Sequence, residues 1–330
     1  MSGVEDYLER LLEDKRYAQN IVSTSIKEAR DAEYRDFPSG LNPALITLSQ
    51  SLGLSRLYAH QAEAITLALK GKSLVLSTGV ASGKSLCYQL PILHSLLEDP
   101  RQRALMLYPT KALAQDQSHK LSEMASLLYK QSKVKILSGI YDGDTPTSDR
   151  SRIRGKAQII FSNPDMLHMG ILPHHSMWTA FLSHLRYVVI DEVHYYRGVF
   201  GSHFANVIRR LKRICKVYGV RPVFICTSAT LANAREMVEE LLGEELILID
   251  HDASPAGKRI NLIYNPPLVD ADLGIRRGSI AESASLARLL LRYPLQGIVF
   301  SVTRRSVEML LLSVGENAKD SVASYRSGYL

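Results

Sequence analysis

The sequence predicts an α/β chain, a doubly wound parallel sheet with helices on both faces, followed by the start of a second domain of the same class. Three observations carry that expectation. Short apolar runs at 73–77, 104–108, 135–137, 158–161, 187–190 and 223–226 alternate with longer amphipathic stretches, the order that makes successive strands parallel. The first run ends in a glycine-bearing turn, Thr78-Gly79-Val80-Ala81-Ser82-Gly83-Lys84-Ser85. The fifth ends in Asp191-Glu192-Val193-His194. Both motifs therefore fall at the carboxyl ends of strands, the ligand edge of a parallel sheet.

Along the chain, residues 1–42 carry Val4, Leu8, Leu11 and Leu12 among many charges, a period that predicts a helical accessory segment. The sheet domain is expected over 43–250. Residues 251–278, rich in Pro, Gly and Asp and containing Asn265-Pro266-Pro267, predict a boundary. A helix over 281–291, a strand over 297–302 and another helix then open a second α/β domain across 279–330. The length of 330 residues exceeds the usual size of a single core, and an apolar content of 46% is ample for two. With 40 Lys+Arg against 33 Asp+Glu, the net charge of +7 favours polyanionic partners. Cys87, Cys215 and Cys226 lack paired metal-ligand spacing and read as reduced, packed thiols. No apolar stretch is long enough to span a bilayer, and the residues from Met1 to Asp6 lack the order of a secretory signal, so a cytoplasmic protein is expected.

The turn at 78–85 has the chemistry of a triphosphate cradle. Successive backbone N–H groups and a helix N-terminus face the anion, Lys84 adds a mobile positive charge, and Ser85 can hold Mg²⁺. The usual pattern begins with Gly, whereas Thr78 stands there and Gly79 comes one place later. Asp191 is then the metal-binding carboxylate and Glu192 the group that orients an attacking water. Thr227-Ser228-Ala229-Thr230 follows its own strand, so its hydroxyls are expected on the same edge, bonded to Asp191 or His194 and relaying nucleotide state; helix capping is the plain alternative. Upstream, Gln61 in Tyr58-Ala59-His60-Gln61 has an amide able to read an adenine edge.

Further strings narrow the reading: residues 108–117 from Tyr108 to Gln117, Tyr141-Asp142-Gly143-Asp144-Thr145-Pro146, residues 162–168 from Ser162 to His168, and residues 195–203 from Tyr195 to His203. In this order the set resembles superfamily 2 helicases of the DExH type, and within them the bacterial mitomycin repair factor A helicases and their fungal RecQ-like relatives. The resemblance implies RecA-like domains and ATP-driven 3′-to-5′ movement on single-stranded or 3′-tailed DNA, with a role in DNA repair. It implies a strand-backbone track of Pro109, Thr110 and Lys111, of Asp144 and Thr145, and of Asn163, Pro164 and Asp165, with Arg304 in the second domain. Tyr195, Tyr196 and Arg197 then belong to an aromatic-rich loop that senses DNA. Core packing is the competing reading for such aromatics, and Gly198 and Gly201 favour an exposed, mobile loop. Arg150, Arg152, Arg154 and Lys156 form either a basic rim or a solvated face. Val80 stands where relatives more often carry Thr. The sequence stops after a string at 325–330, before the motif that supplies arginine fingers and before the family's four-cysteine zinc module. The 330-residue chain is therefore expected to bind nucleotide and hydrolyse it slowly. A non-catalytic binding module and an RNA helicase are the rival readings.

Overall fold

Seven strands form the main sheet: β1 (Leu74–Ser77), β2 (Arg103–Leu107), β3 (Ser138–Ile140), β4 (Ile159–Ser162), β5 (Leu185–Ile190), β6 (Val223–Ser228) and β7 (Ile247–Ile249). Their order is β7-β1-β6-β5-β2-β4-β3, with every neighbouring pair parallel. Helices cover both faces, so the strands are apolar on both sides rather than alternating with polar residues. Leu74 and Leu76 enter one core with Tyr187 and Val189, while Val75 enters the other with Val188 and Ile190. Because all strands run the same way, the turns after β1, β2, β4, β5 and β6 emerge on one edge.

The computed structural model describes residues 3–315 and 321–325. Of the string expected at 325–330, only Tyr325 lies within the described residues. Two compact units are present, one from Arg30 to Ala256 and the other formed by the residues up to Ala29 together with those from Gly257 onward. The sheet occupies the first of these.

Several expected elements differ. The strand expected at 135–137 forms at Ser138–Ile140, where the ladder to β4 begins with Ser138 opposite Ile159. β7 has only three residues, too few to show a period in the sequence. In the other unit the helical reading of the N-terminal segment holds for Gly3–Glu13 and Lys15–Ala18. It fails at Ile21–Lys27, a β-branched run that pairs antiparallel with Arg259–Tyr264. The supposed boundary thus contains a strand, and it also holds a small antiparallel pair, Leu268–Asp270 with Ile275–Arg276. Helices Ser279–Leu290 and Arg304–Val314 follow. Residues 297–302 form no strand. Phe300 and Val302 are exposed, and no strand among the described residues pairs with this segment to complete a ladder.

Candidate active site at the carboxyl edge of the sheet

From Ser77 the chain turns through Thr78–Gly83 into the helix Lys84–Glu98. Ala81 (φ 63°) and Gly83 (φ 74°) take left-handed backbone conformations, which bend the turn back on itself. Only glycine suits the second of these, since a Cβ there would also run into the Gln61 amide. Inside the turn, Ser82 Oγ donates to the Gly79 carbonyl at 2.8 Å and lies 2.7 Å from Thr78 Oγ1. Lys84 Nζ donates to the carbonyls of Thr78 (3.1 Å) and Gly79 (2.8 Å). Val80 is exposed, so its departure from the family pattern falls on a side chain outside the turn.

Support also comes from outside. Gln61 is buried with its amide engaged at both ends: Oε1 accepts from Tyr58 N–H at 3.0 Å and Nε2 donates to the Gly83 carbonyl at 3.1 Å. An amide has two donor hydrogens and two acceptor lone pairs, so these bonds leave one of each for an adenine edge. The buried His60 ring accepts from Ala253 N–H through Nδ1 (3.2 Å), which leaves the proton on Nε2 to donate to the Ser82 carbonyl (2.9 Å). Burial holds the His60 pKa below its ordinary value, in keeping with a neutral ring. His60 and Asp252, whose Oδ2 accepts the Gly79 N–H at 2.9 Å, are not among the residues expected from sequence. Only their folded neighbours reveal them.

Across β6 lie the acids. Asp191 Oδ1 accepts from the Glu192 N–H at 3.1 Å and from the Thr227 hydroxyl. Burial pushes the Asp191 pKa upward, opposed by the Thr227 bond and by the charge of Lys84. Glu192 has a left-handed backbone, φ 52°, and its buried Oε2 lies 3.1 Å from His194 Nδ1 without forming a hydrogen bond. Ser228 Oγ lies 3.4 Å from the same ring nitrogen. Ser77 Oγ accepts the Leu231 N–H at 3.0 Å and donates to the Ala229 carbonyl at 3.4 Å, while Thr230 is exposed. The segment from Thr227 to Leu231 thus touches the last residue of β1, Asp191 and His194 together. The buried Tyr88 hydroxyl, one turn beyond Ser85, donates to Gln117 Oε1 at 3.3 Å, and its pKa is raised by burial and by the Asp191 charge. Burial likewise pushes the thiols of Cys87 to about 12 and Cys215 to about 11, and that of Cys226 upward, leaving all three unreactive.

Residues 58–238, more than half of the chain, match the DEAD/DEAH box helicase family. The chain belongs to that family. The uncharacterized ATP-dependent helicase YprA of Bacillus subtilis (strain 168) is 45% identical over 328 residues, covering 98% of this chain and 43% of the relative. The ATP-dependent helicase HRQ1 of Saccharomyces cerevisiae is 36% identical, covering 100% of this chain and 31% of its own length. The DUF1998 helicase MrfA in a DNA-bound crystal structure superposes with a TM-score of 0.92 at 43% identity, over 99% of this chain and 43% of that one. The chain thus spans less than half the length of the relatives it matches. Among the described residues no helix is long and apolar enough to cross a membrane.

Among the other positions singled out by the helicase pattern, those that follow β2, β3 and β4 lie on the same edge, and several are occupied locally. Thr110 follows β2 and Pro109, and it caps the helix Lys111–Ser132 by accepting from Leu113 N–H at 3.3 Å. Asn163 caps the turn beginning at Pro164 by accepting from Met166 N–H at 2.8 Å, with Asp165 exposed beside it. Lys111 Nζ bonds Asp144 at 2.6 Å, joining two of the loops. Both partners are exposed, so solvent and salt screen this pair. Thr145 Oγ1 donates to the Ile140 carbonyl at 3.0 Å, and Arg150 ties the loop by donating to the carbonyls of Thr145 (3.0 Å) and Asp142 (3.2 Å). Arg304 opens the helix Arg304–Val314 of the other unit.

The aromatic stretch is divided. Tyr195 is 54% exposed and its ring lies 5.0 Å from that of His194, whereas Tyr196 is 2% exposed and packs 4.2 Å from Phe204. Tyr196 is therefore a core residue and not a base-stacking one. The expected loop at 198–203 is instead the start of the helix Gly198–Val217, with the exposed Arg197 at its N-cap. Gly201 is needed for packing, because a Cβ there would collide with the Tyr196 carbonyl.

Proposed function

We propose that this chain is the ATP-binding part of a DNA helicase that moves 3′-to-5′ and serves DNA repair. The observation that carries the ATP-driven part is the joining of the 78–85 turn and the 191–194 acids through Thr227, Ser228 and Ser77 on one sheet edge. Polarity and the repair role follow the resemblance to the mitomycin repair factor A helicases, and DNA as the partner is supported by the DNA-bound MrfA relative at 43% identity.

The residues present fit Mg·ATP. A buried carboxylate whose pKa is raised by burial gains from a cation, and the buried Glu192 Oε2 makes no hydrogen bond, as suits a group kept for a water. Bound Mg·ATP supplies a phosphoryl group whose transfer needs charge neutralisation and an aligned water. Backbone N–H groups of residues 80–85 would hold the phosphates, and Lys84 Nζ would leave the carbonyls of Thr78 and Gly79 to join them. Ser85 Oγ and Asp191 would hold the metal, with Thr227 fixing Asp191. Glu192 Oε2 takes the proton of the attacking water. His194, set between Glu192 and Ser228 with the exposed Tyr195 against it, connects these acids to a DNA strand stacked on Tyr195.

Titration with a fluorescent ATP analogue tests the assignment. Lys84→Ala abolishes binding, because it removes the side-chain cation of the turn, whereas Glu192→Gln leaves affinity intact and removes hydrolysis. Equal affinity of the parent and Lys84→Ala would reject it.

A further inference from the structure

The phosphate turn is held from behind by residues that the helicase motifs do not include. Asp252 lies just beyond β7 and accepts the Gly79 N–H at 2.9 Å. Its other oxygen accepts from the Ser254 hydroxyl at 2.6 Å and the Ser254 N–H at 3.0 Å, with the Arg30 guanidinium 3.6 Å away. Arg30 also donates to the Ser254 carbonyl at 2.9 Å. Next to Asp252, Ala253 N–H reaches His60, which reaches the Ser82 carbonyl, so two adjacent residues grip the turn at two points.

The position of Gly79 follows from this grip. A Cβ on residue 79 would sit 2.7 Å from Asp252 Oδ2, so the close approach requires glycine at that place. That accounts for a glycine standing one position later than the usual motif start. A carboxylate beside a polyanion site is unfavourable unless its charge is spent. Here burial works to raise the Asp252 pKa, but the bonds from Ser254 and Gly79 outweigh it and hold the group below its ordinary value, ionised and occupied.

The grip continues away from the site. Arg30 and Ala256 exchange both backbone bonds, Arg30 N–H to the Ala256 carbonyl at 2.8 Å and Ala256 N–H to the Arg30 carbonyl at 2.9 Å. These residues are the first and last of the sheet unit, where the chain crosses to and from the other unit. One hydrogen-bonded path therefore runs from the first peptide of the phosphate turn through Asp252, Ser254 and Arg30 to both crossings.

We propose that Asp252 is a positioning residue of the nucleotide site: it keeps the Gly79 peptide in place when Lys84 leaves the Thr78 and Gly79 carbonyls for a triphosphate, and it passes that change to the chain crossings at Arg30 and Ala256. This rests on the nucleotide assignment above. The Thr78 carbonyl, which accepts from Lys84, and the Gly79 N–H, which Asp252 holds, belong to one peptide, so drawing Lys84 away shifts the load on that peptide toward Asp252.

The test uses the 330-residue chain, a fluorescent ATP analogue and amide hydrogen exchange read by mass spectrometry. Asp252→Ala lowers affinity by about tenfold, the worth of one charge-assisted hydrogen bond, whereas Asp252→Asn, which keeps an oxygen acceptor, stays near the parent. In the parent and in Asp252→Asn the analogue slows exchange at 76–83 and at 250–256; in Asp252→Ala it slows only 76–83. Parent-like affinity in Asp252→Ala, or an unchanged response at 250–256, overturns the proposal. If Asp252→Ala fails to fold, Asp252→Asn carries the test, and loss of its 250–256 response overturns the proposal. A parent that binds no better than Lys84→Ala overturns the nucleotide assignment itself. A parent that binds, beside a Lys84→Ala that does not, isolates any failure to Asp252.

Discussion

Two adjacent tyrosines offer the sharpest separation of packing from recognition. Tyr196 is 2% exposed, its ring lies 4.2 Å from Phe204 and 5.6 Å from Phe200, and its buried hydroxyl makes no hydrogen bond to the described residues. Truncation to Ala removes a buried aromatic ring and costs about 3–5 kcal/mol, a large share of the 5–15 kcal/mol typical of a domain. Tyr196→Phe keeps the ring and deletes only the unbonded hydroxyl. Leaving such a group buried costs about 1–3 kcal/mol, so this variant is expected to match or exceed the parent by about 1 kcal/mol. Tyr195 is 54% exposed, so Tyr195→Ala leaves stability within about 0.5 kcal/mol. If a base stacks on that ring, the same change weakens single-stranded DNA binding by about 1–3 kcal/mol. Urea unfolding followed by circular dichroism gives the stabilities, and fluorescence anisotropy with a labelled oligonucleotide gives the affinities. A parental midpoint for Tyr196→Ala, or a destabilised Tyr196→Phe, would refute the packing argument. Unchanged DNA affinity in Tyr195→Ala would refute the stacking.

If the chain binds DNA as proposed, the edge loops and the net charge of +7 make that binding strongly salt-dependent. With about three to five phosphates neutralised, log K falls with a slope of about −2 to −4 against log salt, and a flat response would sink the phosphate track. His60 gives the chain an acid sensitivity. Its folded pKa lies below the free value of 6.5, so the folded state binds fewer protons; the stability it contributes is fully present above 6.5 and is lost as pH falls below that. The urea midpoint should drop between about pH 7 and pH 5, and a His60 ring that titrates at or above its free value in an NMR titration would contradict this. Gly201→Ala forces a Cβ against the Tyr196 carbonyl and should destabilise by about 1–3 kcal/mol, measured by the same urea unfolding; a parental midpoint would show that the helix start can shift to make room.

How much was legible in the sequence follows from how local each signal is. Strands β1, β2, β4, β5 and β6 were readable because a parallel sheet buried on both faces needs short continuous apolar runs, and the turn at 78–85 and the acids at 191–194 each follow such a run directly. Their shared edge then needed no further information, since parallel strands put all their carboxyl ends together. Other features depended on partners far along the chain. Ile21–Lys27 is a strand because Arg259–Tyr264 lies beside it, while the apolar segment 297–302 has no pairing strand among the described residues and forms none. The sequence alone presented Tyr195 and Tyr196 as equals; the short helical turn Val193–Tyr195 sends one ring to solvent and the other onto Phe204. Asp252 and His60 left no local trace at all. A hydrogen bond between the phosphate turn and a residue beyond β7 exists only once the sheet has set β7 beside β1, because strand pairing, unlike strand formation, is decided by tertiary structure.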